Sequence, residues 1–109
     1  MGALMAAGML NSRVSIQARA PGRDALGQPA NTWAELASMW ANIRHQSGAE
    51  AVRADALVSV VRASIRVRRR RDVTASMRVV HGSVVYEIKA VLPDEVRGEF
   101  MDLVCEVVA

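Results

Sequence analysis

The chain has 109 residues, enough for one domain with its own apolar core, and its single cysteine, Cys105, excludes an internal disulfide framework. Apolar residues make up 51% of the sequence but aromatic residues only 4%, which favours a thin β-structure over a bulky α/β core. The net charge of +3 is divided unevenly, because residues 1–71 hold eleven arginines against four acids, whereas residues 72–109 hold three basic residues against seven acids.

The first predicted elements are two β-strands. Apolar and polar residues alternate strictly over Arg13–Ala20, which is typical of a half-buried strand. The turn formers of Pro21–Pro29 predict a long exposed connection. Thr32–His45 again has strand composition, but Trp40 is out of phase with the apolar positions around it, so we predict a bulge or burial on both faces there. We expect the Trp40 side chain in the core.

A short helical or loop insertion is predicted between the early strands. Ser47 and Glu50 have the spacing of a capping box, in which each side chain bonds a free backbone N–H at the start of a helix. Apolar residues then recur at helical spacing over Ala49–Leu57. A helix of this length needs packing against other elements to be stable.

The rest of the chain predicts further short strands. Ser59–Arg68 and Phe100–Val108 alternate, and His81-Gly82 between two apolar runs is the signal of a tight hairpin. Polar turns are predicted at Asp72–Ser76 and Pro93–Glu95. Five or six short strands at this spacing predict a small antiparallel β-barrel or sandwich. We expect a single domain over residues 11–109, preceded by a segment of residues 1–10.

Catalytic chemistry has little support in the sequence. The two histidines, His45 and His81, are not spaced to hold a metal ion together with Cys105 or a carboxylate. The adjacent acids Asp94 and Glu95 are typical of a solvated turn, and Cys105 lies in phase with apolar neighbours, as a buried inert thiol does. We therefore predict a protein that is not an enzyme and uses no metal or other cofactor.

The tryptophans and the arginine run are the candidate binding residues. Trp33, next to the exposed connection, could anchor a partner, and Arg66–Arg71 is denser in one charge than a solvated strand end usually is. One alternative is a basic nucleic-acid-binding barrel of OB type, but none of the aromatic residues is interleaved with the arginines. Another is a general oligomeric scaffold without DNA contact. Met1–Leu10 is apolar, but it has no basic residue before it and is too short to span a bilayer, so we expect no secretory signal and no membrane contact.

Short motifs follow one another in a set order along the chain. They are Leu10–Gln17, Asp24–Gly27, Trp33, Trp40–Ile43, Gly48–Glu50, Ile65-Arg66, Asp72–Thr74, Met77–Val79 and Tyr86–Ile88. In this order, from about Leu10 to Val108, they resemble the head–tail joining family of tailed bacteriophages, also called head-closure, stopper or head–tail adaptor proteins. The chain departs from the family in one place, since the family often has an aromatic residue within the stretch that here reads Arg66–Arg71.

The resemblance implies a small antiparallel β-barrel that acts as a structural virion protein. It implies a connector ring of about twelve copies in the virion neck, assembled in the host cytoplasm, which helps to retain packaged DNA. The implied partners are portal or adaptor ring proteins, tail terminator or tail-tube proteins, and double-stranded DNA passing through the lumen. An insertion between barrel strands can project into the channel as a gate. On this chain the matching residues are Ser47, Gly48, Ala49, Glu50, Val52, Arg53 and Asp55.

A charge count bears on where the arginines point in such a ring. DNA crossing a domain about 30 Å thick presents about 18 phosphates, whereas four inward arginines on each of twelve copies would present roughly 48 charges. Such a ring would clamp DNA that must leave, so we expect most of Arg68–Arg71 at protein contacts with acids of a neighbouring copy or ring. The candidate contact residues are Trp33, Arg66, Arg68, Arg69, Arg70, Arg71, Asp94, Glu95 and Glu99.

Overall fold

The structure, a computed structural model, describes residues 9–20, 32–53 and 56–108, and of residues 47–53 and 56–59 it describes the backbone alone. Six strands form in this part: β1 (Ser12–Arg19), β2 (Trp33–Arg53), β3 (Ala56–Arg68), β4 (Arg78–His81), β5 (Val84–Pro93) and β6 (Phe100–Val107). They pair antiparallel and close in the order β1-β2-β3-β6-β5-β4. The predicted small antiparallel β-barrel is therefore confirmed, while the connection predicted over Pro21–Pro29 lies outside the described residues.

Alternation along the strands fills the interior of the barrel. Alternate side chains of β1, of β3 from Ala63 onward and of β6 are buried, as their sequence patterns predict. Full burial of a large aliphatic or aromatic side chain contributes roughly 1.5–3 kcal/mol, so this interior is the main source of stability. The buried cluster consists of Val14, Ile16, Ala41, Ala63, Ile65, Val67, Val73, Val79, Tyr86, Ile88, Met101, Leu103 and Cys105.

The helical insertion predicted over Ala49–Leu57 is wrong. β2 and β3 continue their antiparallel pairing as far as Arg53 and Ala56, so the segment is the outer part of a long hairpin. The register shifts just after Gln46, where β2 carries an extra residue. An isolated helix this short is marginal because its first turn must nucleate, whereas two strands already paired in the barrel extend an existing ladder.

Trp40 points outward, which corrects the expectation that it lies in the core. Its side chain is 51% exposed, while its neighbour Ala41 is buried and Met39 packs against the core. The irregularity of β2 lies earlier, at Leu36, which has no partner in the register with β1. The strand therefore alternates normally through Trp40, and no burial on both faces is needed.

The tight hairpin predicted at His81-Gly82 joins β4 to β5. His81 pairs with Val84, which leaves the two-residue turn Gly82-Ser83. Gly82 has a φ of 62°, a conformation that glycine adopts readily because it has no Cβ. The register set by this turn places Tyr86 opposite Val79, and both side chains are buried.

Candidate docking surfaces of the barrel

The first candidate surface is the arm, which we define as residues 47–61. In this stretch β2 and β3 pair with each other, whereas β1 pairs with β2 only up to Ala41 and β6 pairs with β3 only from Arg62. At about 3.3 Å per residue, β2 extends roughly 23 Å from Gln46 to Arg53. Asp55 lies outside the described residues. The other predicted gate residues all belong to strand β2, and they are Ser47, Gly48, Ala49, Glu50, Val52 and Arg53.

The second candidate surface is a pocket around Trp33. The guanidinium carbons of Arg19 and Arg78 lie 5.0 Å and 4.3 Å from the centroid of the Trp33 ring. The register places Arg19 opposite Trp33 and Arg78 opposite Gln17, whose Oε1 accepts a hydrogen bond from Arg78 Nε at 2.8 Å. The cavity, called the Trp33 pocket below, has a volume of about 280 Å³ and is lined by Arg19, Trp33, Ala75, Ser76, Arg78, Val85, Glu87 and Val108.

Arginines also flank two further aromatic rings. Arg13 lies opposite Trp40, with its guanidinium carbon 5.4 Å from the ring centroid, and its Nε donates a hydrogen bond to Ser38 Oγ at 3.1 Å. Arg68 pairs with Phe100 across β3 and β6, with a separation of 5.6 Å. Such contacts are attractive because the cation meets the negative face of the ring. Sequence reasoning treated aromatics and arginines as separate groups, but the strand register brings them together.

Two arginines of the run have carboxylate partners within the same chain. Arg66 donates from Nε and Nη2 to the two oxygens of Asp102 at 2.7 Å and 2.8 Å, and these hydrogen bonds raise the pKa of Arg66. Arg70 makes the same two-bond contact with Asp72, at 3.0 Å and 2.8 Å. Arg71 is exposed. The charge that this run offers to DNA or to a neighbouring copy is therefore smaller than its sequence indicates.

The third candidate surface is the acidic turn, which we define as residues 94–99 between β5 and β6. Asp94 Oδ1 accepts hydrogen bonds from the backbone N–H groups of Val96 at 3.0 Å and Arg97 at 3.4 Å. The Asp94 carbonyl accepts from Gly98 N at 2.8 Å, and Gly98 has a φ of 71° that disfavours other residues. A Cβ at Gly98 would also meet Arg69 Nη1 at 3.2 Å. The predicted contact residues on this turn are Asp94, Glu95 and Glu99, of which both glutamates are exposed.

Two titratable side chains of the described residues, those of Tyr86 and Cys105, are buried inside the barrel. Tyr86 is buried, and its hydroxyl lies 2.8 Å from Nε2 of His45. Burial raises the pKa of Tyr86 and raises the pKa of Cys105 to about 12, so the thiol stays protonated at neutral pH. Among the described residues, no three His, Cys, Asp or Glu side chains come close enough together to hold a metal ion. No helix in the described ranges is long and apolar enough to cross a membrane.

The solved structures that resemble this fold include the following two. A chain from the virion of a native gene transfer agent particle matches with a TM-score of 0.70 and 21% identity, covering 91% of this chain and 96% of that chain. A protein of Shigella flexneri 2a, determined in solution, matches with a TM-score of 0.70 and 26% identity, covering 96% of this chain and 98% of that chain. No curated protein sequence gives a significant match.

One protein-family profile matches nearly the whole chain. It covers residues 5–108, and the family is described as phage head completion protein. The match spans all six strands. It confirms the resemblance to phage head–tail joining proteins that the ordered sequence motifs carry. The chain therefore belongs to the phage head completion protein family.

Proposed function

We propose that the protein forms a connector ring between the portal or adaptor proteins of the head and the tail proteins, and that this ring helps to retain and pass packaged DNA. Its family makes it a structural protein of phage or phage-like particles, which contacts other virion proteins. The similar gene transfer agent chain comes from a virion particle, which supports a place in the particle, and we propose the neck. The observation that carries the proposal is the arm, a long hairpin that projects from a closed barrel.

The arm has the properties that a channel gate needs. Its two outer edges, on β2 beyond Ala41 and on β3 before Arg62, pair with no other described strand. A two-stranded hairpin is only marginally stable by itself, and its free edges can pair or pack with another chain. Arms about 23 Å long that reach from every copy toward the ring axis would narrow the channel, and passing DNA would displace them.

Assembly of the ring depends on many weak contacts. The exposed large apolar side chains of the described residues are well separated along the sequence, and they are Met9, Leu36, Trp40, Val61, Leu92, Val96 and Val108. Such a surface does not support a strong dimer, so we expect the isolated chain to be a monomer or weak oligomer. About twelve copies docking together on a preformed portal or adaptor ring would gain the avidity that one contact lacks.

The internal ion pairs support passage of DNA through such a ring. Arg66 and Arg70 are each hydrogen-bonded to a carboxylate of their own chain, which lowers the positive charge per copy that could face phosphates. A ring with fewer free arginines holds DNA less tightly, because binding to phosphates scales with the number of cations that contact them.

A basic nucleic-acid-binding barrel is the second candidate, because arginines lie over both tryptophan rings. Arg78 and Arg13 could contact phosphates while Trp33 and Trp40 offer stacking surfaces. However, the barrel is closed by six antiparallel strands, whereas the OB fold is a partly open five-stranded barrel.

Deletion of the gene in the host that produces the particles tests the connector. We expect heads that package DNA but lose it and lack tails, and plasmid-borne wild-type protein should restore both properties. Particles that retain DNA and join tails without the protein would contradict the proposal. The second candidate is tested separately by titrating purified protein with double-stranded DNA at about 0.15 M salt and following tryptophan fluorescence. Micromolar binding without any partner protein would favour it.

A further inference from the structure

We propose that the acidic turn of one copy docks into the Trp33 pocket of the next copy in the ring. The inference rests on the proposed connector ring, and it names the contact that would join its subunits. It differs from the sequence-based expectation, in which the acids of residues 94–99 face Arg68–Arg71 of a neighbour. The structure offers a different and better matched basic surface.

The acidic turn presents an apolar side chain between two glutamates, on a backbone that is already ordered. Val96 is 93% exposed at the tip, and Glu95 and Glu99 lie on either side of it along the chain. The backbone of the turn is already held by hydrogen bonds to Asp94, so docking would cost little additional ordering. Arg97 is the single basic residue between positions 94 and 99, which leaves the turn with a net negative charge.

The Trp33 pocket has the complementary properties. The indole of Trp33 provides an apolar wall, and Arg19 and Arg78 place their guanidiniums against it. Glu87 also lines the pocket, but Lys89 Nζ donates to its Oε1 at 2.9 Å and compensates its charge. A volume of about 280 Å³ accommodates a valine side chain together with part of a flanking glutamate.

The two surfaces lie at opposite ends of the β5–β6 pair, so they do not meet within one chain. The pocket is lined by Val85 and Glu87 near the start of β5 and by Val108 just after β6. The acidic turn instead joins the end of β5 to the start of β6. A contact between two different patches is heterologous, and it repeats head to tail until the rotation closes a ring.

The arginine run is less suited to this contact, because within one chain it already lies beside the acidic turn: Arg69 N donates to the Glu99 carbonyl at 2.9 Å. In the pocket, Arg78 donates to the neutral amide of Gln17. A carboxylate arriving from another copy would therefore meet the Arg78 guanidinium without displacing a carboxylate hydrogen-bonded to it. Hydrogen bonds between arginine and carboxylate are among the strongest in proteins and are directional.

The size of the contact agrees with a subunit that assembles only on a ring. One tip in one pocket buries much less than the roughly 800 Å² per partner of a standard interface. A single contact is therefore weak, and repetition around a closed ring supplies the stability.

Cysteine cross-linking tests the contact. Val96→Cys places a thiol on the tip and Ser76→Cys places one on the pocket wall, and both positions are exposed, so the fold should be retained. Cys105 is buried, and its pKa of about 12 keeps it unreactive. In particles that carry the double variant, a short bismaleimide should produce a ladder of oligomers, because every copy then has one thiol on each surface.

Matched variants separate this contact from random proximity. Val96→Cys alone should give no ladder, nor should Val96→Cys combined with Ser83→Cys, which lies in the exposed turn between β4 and β5. Adding Glu95→Lys to the double variant should lower the ladder yield about tenfold or more, because it sets like charges against each other at the contact.

The same cross-linking experiment distinguishes failure of the contact from failure of the proposed function. If the double variant is incorporated into particles but gives no ladder, the docking proposal is wrong. If the wild-type protein is also absent from particles, the connector proposal is wrong. Cross-linking of the concentrated purified protein then decides the contact, since a ladder supports it and its absence overturns it.

Discussion

Replacing the arm by a tight turn should leave the barrel folded and abolish DNA retention. Gln46 and Arg62 are partners in the β2–β3 register, so residues 47–61 can be replaced by Asn-Gly to give a two-residue hairpin. The chain already contains such a connection, in which Gly82 and Ser83 join paired residues of β4 and β5.

The expected stability change follows from the position of the core. No described member of the buried cluster lies between residues 47 and 61, so the replacement leaves that cluster intact. Shortening the connection changes the closure entropy by only about 0.6 kcal/mol per twofold change in length. We therefore expect the free energy of unfolding to change by less than about 2 kcal/mol, or roughly 8 °C in Tm. Leu103→Ala, at a fully buried position, should cost about 2–5 kcal/mol and serves as the comparison.

Two assays decide the prediction. Urea unfolding of the purified variants measures the stability change, and the amount of DNase-protected DNA in particles measures retention. We expect the arm variant to be as stable as the wild type within the stated range and to retain no more DNA than particles lacking the protein. If the replacement destabilises the protein more than Leu103→Ala does, the arm belongs to the folding core. If it leaves DNA retention unchanged, the arm is not a gate.

The remaining predictions concern ion pairing, alkaline stability and assembly. A double-mutant cycle with Arg66→Met and Asp102→Asn should give a coupling of about 1 kcal/mol after allowance for the side chains being 37% and 30% exposed, and a cycle that shows no coupling by urea unfolding would contradict this. Cys105 and Tyr86 have raised pKa values in the folded protein, so they bind protons more tightly there than in the unfolded chain. The stability due to Cys105 should be complete below its ordinary pKa of 9.0 and be lost as pH rises toward 12, so Tm should fall more steeply above pH 9 in the wild type than in Cys105→Ala. Sedimentation of the purified chain at micromolar concentration should show a monomer or weak oligomer, and a stable ring without partners would contradict the proposed assembly on the neck.

Local patterns in the sequence are enough to predict most of the barrel. The alternation of Arg13–Ala20 and of Phe100–Val108 identifies strands whose inward residues form the core, because burial on one face of a strand imposes a period of two. The hairpin at Gly82 is predicted because its positive φ is a property of a single residue. The inward phase of Cys105 predicts its burial for the same reason as the other core residues. The ordered motifs also identify the family, since they are read directly from the chain.

Other properties depend on which strands become neighbours, and only the tertiary structure decides them. Ser47 and Glu50 have a helical spacing, but pairing with β3 makes that segment a strand. The Arg66 guanidinium is hydrogen-bonded to Asp102, 36 residues away in sequence, because β3 and β6 are adjacent in the barrel. The Trp33 pocket likewise combines residues of separate strands. Strand register sets these contacts, and because a shift of one residue would turn every side chain to the other face, patterns within a single strand do not predict them.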